Sequence, residues 1–127
     1  MNTALWIATG LLALVALVGG LTKTFIPKEK LEQHDAAAWT RSFSPSFVKT
    51  LGTLELLAAV GLILPALVGV APLMVPITAL CWAALMIGAM ITHGRLGQFT
   101  SVSLNVVYFA LAVFIAVGRF GPESFAS

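Results

Sequence analysis

The sequence predicts an all-α fold, an integral membrane four-helix transmembrane bundle formed by a single domain. Hydrophobic residues make up 59% of the 127 residues and charged residues only 9%, whereas a soluble domain carries about a quarter charged residues. Mean hydropathy is +1.00, and the few charges leave long uncharged windows. The net charge of +2 is small and dispersed, so no nucleic-acid partner is expected.

The uncharged windows locate the predicted helices. Residues 1–22 and 96–118 carry no charged side chain, and residues 50–94 carry only Glu55 when His93 is counted as neutral. A spanning helix needs about 20 apolar residues, so the middle window holds two spans. Secretory cleavage of the first helix is the rival interpretation. The absence of a basic leader region and the length of the apolar stretch disfavour it.

The middle window is divided where residues that interrupt helices collect. Proline ends or kinks a helix, and glycine suits a turn. These residues are Pro65, Gly69, Pro72 and Pro76. Ser44 and Pro45 are expected to be the N-cap and the first residue of the second span. The predicted spans are about 3–22, 45–66, 72–92 and 100–118.

The loop of residues 23–44 is the only sizeable polar segment. Pro27 predicts a short helix running through Trp39, because proline suits the first helical turn. Trp39, Phe43 and Phe47 suit the headgroup level of the membrane, where aromatic rings collect. The loop is then either a connector lying on the membrane or a platform that docks a partner protein.

The basic residues predict the orientation in the membrane. Four spans put both termini on one side, and the 1–2 and 3–4 loops on the other side carry most of the basic side chains. Lys and Arg favour the cytoplasm, so these loops are expected to be cytoplasmic and the termini outside. The basic residues on the loop side are Lys23, Lys28, Lys30, Arg41, Lys49 and Arg95.

The residue content argues against several kinds of chemistry. Cys81 is the only cysteine, so one chain cannot form a cysteine-pair redox couple. Its mid-helix position predicts a small buried thiol. The neighbouring Trp82 is expected to serve in packing, and a ligand-lining role is the less favoured alternative. His34 and His93 lie in different loops without a second ligand at metal spacing, so no metal site is expected. The sequence contains no known catalytic or cofactor-binding motif, so an enzyme is not favoured.

One carboxylate interrupts the second span. Glu55 lies six residues beyond Lys49, which is about 9 Å deeper in the membrane at the helical rise of 1.5 Å per residue. Gly52 and Ala59 on the same helix face are small enough to let another helix come close. Because an ionisable group inside a membrane is costly, it indicates a functional site by default.

Polar residues of the fourth span are predicted at the depth of Glu55. Ser101, Asn105 and Tyr108 share one helix face, with Asn105 about 7.5 Å and Tyr108 about 12 Å below the membrane rim. Asn105 and Tyr108 are therefore the expected hydrogen-bond partners of Glu55, and basic side chains at the rim are long enough to reach inward. The predicted ligand-binding or buried polar cluster is Lys23, Glu55, His93, Asn105 and Tyr108. Its role is helix pinning, ligand binding or proton handling.

Four short motifs resemble the DoxX-like family. They are Gly20-Leu21-Thr22-Lys23 at the end of the first span, Gly52 and Glu55 in the second, Gly61-Leu62-Ile63-Leu64-Pro65 at its end, and Thr92-His93 followed by Arg95 and Gly97. The resemblance covers residues from about 10 to 98, and the fourth span resembles the family only in hydrophobicity. It implies a small four-helix protein of the prokaryotic inner membrane.

The resemblance leaves two functions open. Relatives are subunits of a thiosulfate:quinone oxidoreductase, membrane partners of soluble redox enzymes, or proteins of quinone stress responses. The first hypothesis is a non-catalytic subunit or scaffold of a membrane-associated complex, which the lack of catalytic motifs favours. The alternative is a quinone-linked oxidoreductase component that receives a lipophilic head group near Glu55. Expected partners are membrane lipid and a protein partner or second copy, with no cofactor except a quinone under the alternative.

Overall fold

Four long helices account for most of the protein. The computed structural model describes residues 2–31, 33, 40 and 43–124, and the regular elements in this part of the chain are all helices. They are α1 (Asn2–Phe25), α2 (Lys28–Leu31), α3 (Pro45–Val68), α4 (Met74–Arg95) and α5 (Phe99–Phe120). Helices α1, α3, α4 and α5 are each long and apolar enough to cross a membrane, so the predicted four-helix transmembrane fold is confirmed.

The long helices form two pairs. Helix α1 packs chiefly against α3 and α4 chiefly against α5, while α3–α4 and α1–α5 contacts join the pairs more loosely. The shared core contains Leu12, Leu62, Val75 and Ile115, one from each long helix. Large apolar side chains also cover the outward faces. These faces contact lipid, since spanning helices present apolar side chains to the hydrocarbon.

Two glycines bring α1 and α3 into direct contact. A Cβ atom on Gly20 would lie 2.9 Å from the carbonyl oxygen of Gly52, and one on Gly52 would lie 2.8 Å from the backbone nitrogen of Thr24. Neither position has room for a side chain unless the helices move apart. The prediction that Gly52 admits another helix is confirmed, and the neighbour is α1.

The turn between α3 and α4 lies within two residues of the predicted boundaries, but Pro65 does not interrupt the helix. Pro65 lies inside α3, which continues to Val68, because a proline within a membrane span is tolerated when neighbouring groups satisfy the backbone. The helix ends at Gly69, whose φ of 70° is the left-handed conformation that glycine adopts without strain. Pro76 lies in the first turn of α4, where a missing N–H removes no intrahelical hydrogen bond.

The start of α3 agrees with the prediction. Ser44 is the N-cap, and its Oγ accepts a hydrogen bond of 3.2 Å from the backbone nitrogen of Phe47. Pro45 is the first helical residue. The cap fixes the end of the polar loop and therefore the register at which α3 enters the bundle.

The polar loop contains one turn of helix. Helix α2 begins directly after Pro27 and ends at Leu31, and Gln33 lies in a turn. The predicted helix therefore does not run unbroken from Pro27 to Trp39. Residues 34–39 lie outside the described residues.

Cys81 is exposed on the outer face of α4, so the predicted buried thiol is wrong. Trp82, the next residue, turns inward and is buried. The spanning helices are apolar around their whole circumference, so hydropathy alone does not distinguish a lipid-facing position from a core position.

Candidate functional site

An ion pair ties α1 to α3 near the loop end of the bundle. Lys23 Nζ lies 2.9 Å from Glu55 Oε2 and donates a hydrogen bond of 3.2 Å to Oε1. The closer oxygen, Oε2, lies outside hydrogen-bonding geometry. Glu55 is only 6% exposed, so its carboxylate depends on the lysine, because a buried charge without a partner is costly.

Gly19 lies directly against this ion pair. A Cβ atom at Gly19 would lie 3.3 Å from Lys23 Nζ and 3.4 Å from each carboxylate oxygen of Glu55. Any larger residue would therefore cover these polar atoms. With glycine at this turn, the α1 backbone lies close to the ammonium and the carboxylate without a side chain between them.

All five residues of the predicted polar cluster line one cavity. Its volume is about 490 Å³, within the range of about 300–1,000 Å³ that is typical of small-molecule sites. Helices α1, α3, α4 and α5 all contribute to its walls, and Val15, Leu51 and Leu85 are among the apolar lining residues. The cavity thus combines an apolar body with a few polar groups.

Two buried donors in the cavity have no hydrogen-bond partner among the described residues. They are Nε1 of Trp82 and Nδ2 of Asn105, and the two residues are 3% and 8% exposed. A buried donor left unpaired costs about 1–3 kcal/mol, so an acceptor brought to either nitrogen would be stabilising. The expected hydrogen bond from Asn105 to Glu55 is absent, because Lys23 occupies that role from α1.

His93 and Tyr108 line the cavity from α4 and α5. His93 Nδ1 lies 2.7 Å from Oε1 of Gln98 in the turn before α5, which fixes the orientation of the imidazole ring. Arg95 is exposed, and neither Arg95 nor Ser101 is among the cavity residues. Arg95 and Ser101 therefore lie outside the polar cluster.

The polar groups of the cavity offer hydrogen bonds and charge–charge contacts to a ligand. The part of the chain that the structure describes contains no group of three or more His, Cys, Asp or Glu able to hold a metal ion. An ammonium–carboxylate pair, an imidazole, a phenol and two unpaired donors surround an apolar space. Such a set can hold an oxygen-bearing head group and exchange hydrogen bonds with it.

Trp82 lines the cavity, although the sequence favoured packing over a ligand-lining role at this position. Its burial agrees with packing, but its Nε1 has no hydrogen-bond partner among the described residues. The chemistry of the indole could have indicated a binding role, because a buried indole N–H usually finds an acceptor.

A second polar cluster lies at the opposite end of the bundle and was not predicted. Arg119 is 2% exposed and donates hydrogen bonds to Asn2 Oδ1 at 2.8 Å and to the Glu123 carbonyl oxygen at 3.0 Å. Its guanidinium carbon lies 5.7 Å from the ring centroid of Trp6, within cation–π range. The cluster joins the start of α1 to the end of α5.

The fold and the cavity define a multi-pass membrane protein with a polar site near one end of its bundle. The chain belongs to the DoxX-like family, whose family model matches residues 7–115. This match extends through most of α5, whereas the resemblance seen in the motifs ended near residue 98. Comparison with curated proteins and with solved structures found no match.

Proposed function

We propose that this DoxX-like protein binds a lipophilic molecule through a head group that carries hydrogen-bond acceptors. The observation that carries the proposal is the pair of unpaired buried donors, Trp82 Nε1 and Asn105 Nδ2, in a mostly apolar cavity of about 490 Å³. A carbonyl oxygen at either nitrogen would make the missing hydrogen bond. The apolar walls would surround the remainder of the ligand.

A quinone is the proposed ligand class. Its carbonyl oxygens accept hydrogen bonds and therefore match the donors of Trp82 and Asn105. The reduced form carries hydroxyl groups, which also donate, and the Glu55 carboxylate that lines the same cavity is an acceptor for them. Both forms of the head group thus find complementary partners among the residues that line the cavity.

The proposed role is that of a non-catalytic subunit of a membrane-associated complex. The cavity supplies groups that bind and orient a head group, and electrons for a quinone would come from a partner protein. The scaffold hypothesis without a ligand differs in one respect, because it gives the cavity donors no function. Ligand binding therefore separates the two hypotheses.

Saturable binding of a tailed quinone tests the proposal. Trp6 and Trp39 are changed to Phe, so that Trp82 on the cavity wall is the remaining indole. A benzoquinone with a decyl tail is then titrated into the protein in lipid nanodiscs, and quenching of Trp82 fluorescence is measured. We expect saturable quenching, weakened by Asn105→Leu. Quenching that rises linearly with quinone in both proteins would favour the scaffold without a ligand.

We also propose that the protein resides in a prokaryotic inner membrane, with the 1–2 and 3–4 loops in the cytoplasm and both termini outside. Lys23 at the end of α1, Lys49 at the start of α3 and Arg95 at the end of α4 support this orientation. Lysine and arginine are retained on the cytoplasmic side. The cavity then lies in the cytoplasmic half of the bundle.

A further inference from the structure

We infer that the tail of the ligand leaves the cavity sideways between α3 and α4, past Gly88. The site then takes single-tailed lipophiles directly from the lipid. This inference rests on the proposed function and adds to it the path of the tail and the residues that admit it.

Helices α3 and α4 touch near their connecting turn and separate toward the loop end. A Cβ atom on Gly61 would lie only 2.6 Å from Oγ1 of Thr78, so the two helices are in close contact at this level. Leu85, Ala89 and Thr92 follow Thr78 on the same face of α4 at helical spacing. They line the cavity, so a gap replaces the contact along this part of α4.

The gap reaches the outer surface of the bundle at two small residues. Ala84 and Gly88 line the cavity and are exposed as well. A Cβ atom on Gly88 would meet no atom within 4 Å. Because α4 spans the membrane, the surface at these residues faces lipid, and the cavity is open to lipid there.

Aromatic residues bound the cavity toward the polar loop. The rings of Phe43 and Phe47 stack with centroids 4.7 Å apart, and both residues line the cavity. Phe43 belongs to the loop and Phe47 to the first turn of α3. Large aromatic rings therefore line the cavity toward the loop, whereas small residues line it toward the lipid. A tail meets less steric obstruction on the lipid side, which favours the lateral path.

The polar groups fix the direction in which the ligand lies. Trp82 and Asn105 are buried, whereas Gly88 and Ala84 are exposed. A head group held by the two buried donors leaves its tail pointing toward the exposed pair. The tail then lies against apolar side chains and lipid, which is the environment a hydrocarbon chain prefers.

Filling the gap at Gly88 tests the inference. Gly88→Leu and Gly88→Phe place side chains where none is now present, and Gly10→Leu is the matched control. Gly10 is exposed on α1, a Cβ atom there meets nothing within 4 Å, and Gly10 is not among the cavity residues. Binding of the decyl benzoquinone and of benzoquinone without a tail is measured by quenching of Trp82 in all variants.

We expect the Gly88 variants to lose the tighter binding that the tail provides and to keep binding of the tail-free quinone. Gly10→Leu should bind both quinones as the unmodified protein does. If both Gly88 variants bind the tailed quinone normally, the lateral path is overturned while the proposed function stands. If the protein with Gly88 intact shows no saturable binding, the proposed function itself fails.

A second measurement uses the protein without a Gly88 substitution. A quinone whose tail carries a photoreactive diazirine is cross-linked to the protein in nanodiscs, and the labelled residues are identified by mass spectrometry. We expect labels on the edges of α3 and α4 at Leu51, Ala84 or Gly88. Labels confined to the groove between α4 and α5, at Leu80 or Val113, would overturn the inference.

Discussion

At the scale of single residues, a hydrogen bond from the indole N–H of Trp82 to a ligand distinguishes a binding role from a packing role. Trp82→Phe keeps an aromatic ring and deletes the unpaired N–H. We expect little change in thermal stability without ligand, because the loss of packing is offset by removal of a buried unpaired donor. Affinity for the tailed quinone should fall about tenfold, which corresponds to a hydrogen bond of about 1.4 kcal/mol. Calorimetric titration and thermal unfolding measure the two quantities.

Met86→Leu is the matched control for Trp82→Phe. Met86 is also buried and lines the same cavity, but it carries no donor and the change nearly conserves volume. We expect both its stability and its affinity to resemble those of the unmodified protein. A lower melting temperature for Trp82→Phe together with unchanged affinity would return Trp82 to a packing role.

The two members of the ion pair should respond unequally to substitution. Lys23→Met leaves the buried carboxylate of Glu55 without its cation. Because a fifth of the Lys23 side chain is exposed, we expect a loss of about 1–3 kcal/mol, as for a buried acceptor left unpaired. Glu55→Gln should be milder, because the amide keeps hydrogen-bonding capacity and Lys23, at the helix end, can extend toward water. Thermal unfolding of both variants measures the difference.

The double variant Lys23→Met with Glu55→Leu is the decisive comparison for this pair. Replacing both partners by apolar residues removes the uncompensated charge, so we expect stability above that of Lys23→Met alone. If the loss of stability in the double variant equals the sum of the losses in the two single variants, the two side chains are not energetically coupled.

At the scale of helices, the approach of α1 to α3 depends on Gly52. Gly52→Ala would place its Cβ atom 2.5 Å from Thr24 Oγ1 and 2.8 Å from the Thr24 nitrogen. Because backbone atoms cannot rotate away, α1 and α3 must separate, and overpacking of this kind costs about 1–3 kcal/mol. We expect a lower melting temperature and a weakened Lys23–Glu55 ion pair.

Gly10→Ala is the control at the same scale. A Cβ atom on Gly10 meets nothing within 4 Å, and alanine favours helix over glycine by about 1 kcal/mol. Its melting temperature should be unchanged or higher. Equal destabilisation by Gly10→Ala and Gly52→Ala would mean that the α1–α3 contact contributes no specific stability.

The sequence predicted the helices better than it predicted their packing. Uncharged windows locate the spans because charge is costly in lipid, and Ser44 marked the start of α3 through its capping side chain. The predicted end of the second span, at about residue 66, falls two residues short of Val68, and Pro65 does not interrupt the helix because proline is tolerated within a packed span. Cys81 was wrongly placed in the core, since a spanning helix lacks the polar face that reveals orientation in a soluble protein.

The candidate site was predictable in part for the same physical reasons. Glu55 and Asn105 stood out as polar residues in apolar spans, and their expected depths agreed. The partner of Glu55 depended on which helices pack together, which spacing within one helix does not reveal. Packing was favoured over ligand lining at Trp82 because an indole is largely apolar, although its N–H needs an acceptor.

At the scale of the whole molecule, polar contacts brace α1 at both ends. The Lys23–Glu55 pair joins it to α3 near the loop end, and Arg119 joins its start to α5 at the other end. Gly118 lets α1 come close there, because a Cβ atom on it would lie 2.6 Å from Cδ2 of Leu5. Helix α1 is thus held on two sides, while the gap between α3 and α4 stays open to lipid.

The orientation of the whole bundle is tested by a C-terminal fusion. The basic residues near the ends of α1, α3 and α4 predict cytoplasmic loops and external termini. A phosphatase that is active only outside the cytoplasm, fused after Ser127, should therefore be active in cells. Activity of a cytoplasmic reporter alone at the same position would invert the topology and put the cavity in the outer half of the membrane.

The central claim is that the indole N–H of Trp82 donates to the head group of a lipophilic ligand. The most direct measurement is the NMR resonance of this N–H in nanodiscs, assigned by its loss in Trp82→Phe and followed as the decyl benzoquinone is added. A new hydrogen bond should shift the resonance downfield and slow its exchange with water, while the Trp6 resonance at the opposite end stays unchanged. A Trp82 resonance that does not move at saturating quinone, or that moves equally with Trp6, would contradict the account.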